Sequence, residues 1–171
     1  MLNDDHLKEA IGQAVAACRH RLFIATADVK DLHFPAGGTG RASSILEVFE
    51  ELSGRGVEIR LLHSGVPSEV FLGELKEHVP ANLLMRRCPR AHVKAVIADG
   101  RAMYLGSANL TGAGLGAKST RRRNFEAGIW TDEVALIDPV LDMLDGIWTG
   151  RRCGDCGRKD HCPVPLEEPD L

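Results

Sequence analysis

Apolar side chains recur at helical spacing over residues 4–19, where Leu7, Ile11, Ala14, Val15 and Cys18 share one face. Arg21 to Ala27 (RLFIATA) then reads as a buried strand. A loop rich in Gly and Pro covers 31–41. Ser43 or Ser44 caps a helix carrying Ile45, Leu46, Val48, Phe49 and Leu52, and Gly54 and Gly56 end it. Val57 to His63 (VEIRLLH) is a second strand, and Pro67 opens a helix running to about His78. Short strands are expected near 82–87, 92–98 and 101–106, followed by a loop over 108–121 with three glycines. Phe125 to Trp130 reads as a further strand and 133–148 as a helix. Beyond Trp148 the helical period is lost, and cysteines and prolines take over.

The order is α-β-α-β-α-β-β-β-β-α. Alternating units predict an α/β fold, a sheet with helices packed on both faces. The run of consecutive strands makes that sheet mixed rather than parallel. Residues 1–148 are expected to form one domain, and 149–171 a Cys-rich tail. There is no tandem repeat; His6-x-Lys8 repeats the spelling of a later motif only by chance.

Composition is that of an ordinary globular chain of 171 residues, 44% hydrophobic and 26% charged. The polar, acidic start does not resemble a signal peptide, and no apolar run reaches bilayer length, so a cytoplasmic location without membrane partners is expected. Net charge is −3, but its distribution is uneven. Arg86 to Arg123 holds nine Lys/Arg and one acid, and the rest of the chain holds 12 bases and 23 acids. A basic stretch in an acidic protein suits a polyphosphate backbone.

That stretch contains the informative string: His92-x-Lys94, then Asp99, then Gly106-Ser107-x-Asn109. On a strand, residues i and i+2 face one way, so His92 and Lys94 address one point. Lys94, Asn109 and Ser107 are donors suited to phosphate oxygens, most valuable where negative charge grows in a transition state. A neutral His92 is a nucleophile for phosphorus. Such a residue needs one tautomer, usually fixed by a carboxylate, and Glu126 of Asn124-Phe125-Glu126 is the best candidate. Asp99 is expected to stabilise its turn or a basic neighbour. Arg90, Lys118, Arg121, Arg122 and Arg123 are candidate contacts to the substrate backbone.

The chain resembles the phospholipase D superfamily, whose H-x-K-x4-D-x6-G-S-x-N motif it matches at each fixed position. The strand Gly56 to Leu62 and the later Asn-Phe-Glu also resemble that family, over roughly residues 5–148. The resemblance implies that one His attacks phosphorus, a second protonates the leaving oxygen, and water releases the phosphohistidine, with no metal in catalysis. With one motif, the chain is similar to the short nucleases that share one active site across a homodimer, the partner copy supplying the second His92. The loop between Asn109 and Glu126 is longer and more basic than that resemblance suggests.

The tail offers a second constellation, Cys153-x2-Cys156-x5-Cys162. Without a secretion signal, clustered cysteines favour a metal over disulfides. The fourth ligand is Cys88 or His161, and the metal is tetrahedral zinc or a [4Fe–4S] cluster with a structural role. Cys18 reads as core. Gly37-Gly38-Thr39-Gly40-Arg41 lacks the Lys-Ser/Thr of a nucleotide-binding loop. The expectation is a nucleic-acid phosphodiesterase acting on DNA or RNA. The alternatives are a phospholipid phosphodiesterase or phosphatidyltransferase, a hydrolase of small phosphodiesters, and a non-catalytic nucleic-acid-binding module of a larger assembly.

Overall fold

A computed structural model describes residues 1–2, 6–30, 32–35, 42–158 and 162. The glycine-rich 37–41 and His161 lie outside the described residues. Six strands form one sheet: β1 (Arg21–Thr26), β4 (Glu58–His63), β5 (Leu83–Arg87), β6 (Ala95–Ala98), β7 (Ala102–Gly106) and β8 (Gly128–Thr131). Their order is β5-β4-β1-β6-β7-β8. β5, β4 and β1 run parallel, and β6, β7 and β8 add antiparallel, so the sheet is mixed.

Strand alternation builds two cores. Leu22 and Ile24 of β1, Ile59 and Leu61 of β4, and Val96 and Ala98 of β6 point to one face. There they meet α1 (Gln13–Ala17), α2 (Ile45–Gly54) and α3 (Glu69–Glu77), through Ala14, Phe49 and Phe71 among others. Phe23, Ala25, Leu62, Ala95 and Ile97 point the other way, onto Ile137, Leu144 and Trp148 of α4 (Val134–Trp148). Ser44 caps α2 by accepting from Glu47 N–H at 3.4 Å, and Ser68 caps α3 from Phe71 N–H at 3.3 Å. Truncating a wholly buried residue such as Phe49 to Ala is expected to cost about 3–5 kcal/mol.

The structure corrects several boundaries. The first helix is a π-helical turn, Leu7–Gly12, running into the short α1. The loop expected at 31–41 begins with β2 (His33–Pro35), which pairs with β3 (Ala42–Ser44) in a two-stranded ribbon. The strand expected from 92 begins at Ala95, and the one expected from Phe125 begins at Gly128. Residues 1–2 lie along the β8 edge, with Leu2 bridged to Ala127.

Candidate active site

The site lies where β1 and β4 end, at Thr26 and His63, and β6 begins. The carboxyl ends of parallel strands are where loops part and side chains converge in such sheets. His92 and Lys94 sit in the extended segment just before β6. The β6–β7 ladder continues one step further, with Gly106 N–H donating to the Lys94 carbonyl at 3.1 Å. That bond sets Gly106-Ser107-Ala108-Asn109 beside His92-Val93-Lys94.

His92 is exposed, whereas Lys94 is only 9% exposed. The Lys94 Nζ stands 3.0 Å from His92 Nε2, 3.3 Å from Nδ1 and 3.1 Å from the His92 carbonyl. Burial pushes the Lys94 ammonium below the usual lysine range, and the Glu126 charge partly opposes that shift.

Asn109 is held by the end of β1. Its Oδ1 accepts from Ala27 N–H at 3.1 Å and lies 3.3 Å from the Thr26 hydroxyl. Because Ala27 contributes an N–H, the amide oxygen must face β1, which leaves Nδ2 as the donor for a ligand. The Thr26 hydroxyl also accepts from Leu110 N–H at 3.0 Å and donates to the Asp28 carbonyl at 2.8 Å. Ser107 donates its hydroxyl to Glu126 and accepts from Ala127 N–H at 3.1 Å. Asn124 Nδ2 donates to the other Glu126 oxygen at 3.0 Å. Glu126 thus binds Ser107 and Asn124 and acts through its charge on Lys94, while Lys94 stands at the His92 ring.

Tyr104 supports this loop from below. It is fully buried, and its hydroxyl oxygen accepts from Ala108 N–H at 3.2 Å. Its ring lies against Gly106 and Gly128, where no Cβ would fit. Asp99 lies at the opposite end of the sheet, in a turn between β6 and β7 with φ 53° followed by Gly100 at φ 67°. Its carboxylate accepts from Arg19, His20 and Arg21 N–H, each at 2.8 Å, and so ties that turn to the start of β1. Burial raises its pKa, but these bonds and the Cys18 thiol outweigh that and hold it below the usual carboxylate range.

The basic loop is folded. Lys118 N–H bonds Gly112 O at 3.0 Å, Asn124 N–H bonds Ala113 O at 3.0 Å, and Leu115 is buried. Lys118, Arg121 and Arg122 project as exposed cations, and Arg123 is half-buried. Arg90 Nη1 stands 3.4 Å from the Cys156 sulfur. The tail therefore returns to the loop before His92. The Cys153 thiol is pushed up first by burial and then by the charges of Cys88, Cys156 and Cys162. Among the described residues, no three His, Cys, Asp or Glu side chains stand in metal-holding geometry.

The profile of a family described as "Cardiolipin synthase, PLD-like domain" matches residues 11–148. The chain belongs to the phospholipase D-like family. Among solved structures, this phospholipase D-like chain is similar to NucT from Helicobacter pylori, at 15% identity and TM-score 0.62, covering 87% of this chain and 93% of that one. It is similar to Nuc from Salmonella typhimurium, a phospholipase D family member, at 14% identity and TM-score 0.59 over the same shares. A third neighbour is TrmBL2, an archaeal chromatin protein, at 12% identity and TM-score 0.53, covering 87% of this chain and 51% of that one. No curated protein matches the sequence.

Sequence reasoning missed Thr26, Ala27 and Tyr104. Thr26 and Ala27 lie more than 80 positions from Asn109, and no local spacing announces the contact. Tyr104 carried a weak signal, as the chain's single tyrosine two residues before the Gly106-Ser107 pair.

Proposed function

We propose that this phospholipase D-like chain hydrolyses phosphodiester bonds in nucleic acid through a phosphohistidine at His92, in a site completed by a second copy of the chain. The observation that carries the reading is an exposed His92 with Lys94 at its ring, beside an Asn109 amide whose oxygen β1 has fixed. An arriving phosphate draws the Lys94 donors from the ring onto its oxygens. His92 Nε2 then attacks phosphorus, and the bond from phosphorus to the leaving oxygen breaks. The partner copy's His92 imidazolium gives its proton to that oxygen. Water, deprotonated by the same imidazole, next attacks phosphorus and breaks the N–P bond. Lys94 and Asn109 Nδ2 stabilise the equatorial charge in both steps, so the chemistry calls for no metal ion. Glu126, bonded to Ser107 and acting through its charge on Lys94, sets the electrostatics around His92, and the exposed Lys118, Arg121 and Arg122 hold the flanking backbone.

Nucleic acid is favoured over lipid by that cationic loop, and no described helix is long and apolar enough to cross a membrane. A cytoplasmic setting is part of this reading. The family description names a lipid-synthesising enzyme, so phospholipid is the competing substrate. The test is incubation with single- and double-stranded DNA, RNA and phospholipid vesicles in EDTA, using wild type and His92→Ala. Nucleic-acid cleavage by wild type alone supports the proposal. Turnover of lipid alone, or cleavage surviving His92→Ala, overturns it. Salt-sensitive DNA binding without any cleavage points to a binding module.

A further inference from the structure

We propose that Cys88, Cys153, Cys156 and Cys162 form a metal centre held by four thiolates, which clasps the segment after α4 to the loop that delivers His92. The path of the chain brings these residues together. Arg86 lies 5.0 Å from the Trp148 ring centre and donates to the Trp148 carbonyl at 2.7 Å, fixing the end of α4 over β5. Gly150, at φ 78°, then reverses the chain. Two turns follow, with Cys153 N–H on Gly150 O at 2.9 Å and Cys156 N–H on Cys153 O at 3.2 Å. The second turn suits a Cys-x2-Cys pair that must aim two sulfurs at one point.

The turn is docked on residues 88–91. Arg158 Nη1 donates to the Pro89 carbonyl at 3.1 Å, and Arg90 reaches the Cys156 sulfur. Cys88 itself is held rigidly, its N–H on His63 O at 2.8 Å and its carbonyl accepting from Ala91 N–H at 2.9 Å.

Apolar burial does not explain this docking. Residues 151, 152, 154, 155, 157 and 158 are all exposed, so the turn has no core of its own. Metal–thiolate bonds supply what the missing core does not. A divalent ion with four thiolates carries two negative charges, and Arg90 and Arg158 stand where they balance it. Among the described residues these thiols do not stand in metal-holding geometry, so binding one ion requires the sulfurs to draw together.

The test is metal analysis of untagged protein purified without oxygen, with acid-labile sulfide measured in parallel, followed by Co(II) titration of stripped protein. About one centre per chain is expected. Zinc without sulfide and iron with sulfide both support a thiolate centre and say which it is. Cys88→Ser and Cys153→Ser should each lose the metal and the thiolate-to-cobalt absorption, while Cys18→Ala keeps them. Cys153 lies outside the core, so its variant should retain the near-ultraviolet circular dichroism of the folded domain. Metal-free protein that takes up no Co(II), or Cys88→Ser with unchanged metal and spectrum, overturns the proposal. Metal content is read independently of cleavage, so this proposal and the catalytic one fail separately.

Discussion

Tyr104 fills the space that two glycines leave beneath the Gly106–Asn109 loop, and this makes a sharp prediction. A Cβ on Gly128 would stand 2.4 Å from Tyr104 Cε2 and 2.9 Å from its hydroxyl. A Cβ on Gly106 would stand 2.3 Å from that hydroxyl and 2.7 Å from the Ala127 carbonyl oxygen. Gly128→Ala therefore meets one side chain, whereas Gly106→Ala also meets backbone. Overpacking of this kind costs about 1–3 kcal/mol. Displacing the Tyr104 hydroxyl strands Ala108 N–H at a further cost of about 1–3 kcal/mol. Gly128→Ala should lose about 2–6 kcal/mol in equilibrium urea unfolding and Gly106→Ala more. In a Tyr104→Leu background the Gly128→Ala cost should nearly vanish, while Gly106→Ala keeps the part due to Ala127. Equal Gly128→Ala costs in both backgrounds, with coupling below about 0.5 kcal/mol, would refute the assignment of Tyr104 as the obstacle.

The remaining predictions concern chemistry and binding. Burial lowers the Lys94 pKa and Glu126 raises it back in part, so Glu126→Gln should lower it further. Lys94 must carry its proton to act, so the alkaline limb of kcat/KM should move to lower pH in Glu126→Gln; a limb that stays put or moves up contradicts the coupling. Asn109→Ala removes a fixed donor and should cut kcat by about 10²–10³ with the fold intact by circular dichroism. Arg121→Ala and Arg122→Ala should each weaken DNA binding at low salt and reduce the slope of log K against log salt by about 0.7–0.9. An unchanged slope in both removes the loop from the binding surface.

The two-faced strands were legible because an unbroken apolar run such as Leu22, Phe23, Ile24 and Ala25 in β1 marks a strand buried on both faces. Element ends were less so. His92 to Lys94 looks like strand, yet a single bond from Gly106 to Lys94 is what pairs it, and the regular ladder begins at Ala95. Residues 125–127 are drawn towards Ser107 by Glu126, which delays β8 to Gly128. The β2–β3 ribbon spans three residues a side, too short for a periodic signal beside Pro and Gly. Within the site, residues clustered along the chain announced themselves through spacing. Contacts joining distant segments did not, as with Thr26 on Asn109 or Arg90 on Cys156.

The central claim is a covalent bond from His92 to phosphorus. Acid quenching destroys such an N–P bond, so the reaction is stopped with alkaline denaturant and the protein is digested and sequenced by mass spectrometry. Wild type caught during turnover should carry a nucleotidyl or phosphoryl group on the His92 peptide, and His92→Ala should carry none and cleave nothing. Full cleavage with an unmodified His92 peptide, or an adduct on another residue, would contradict the account.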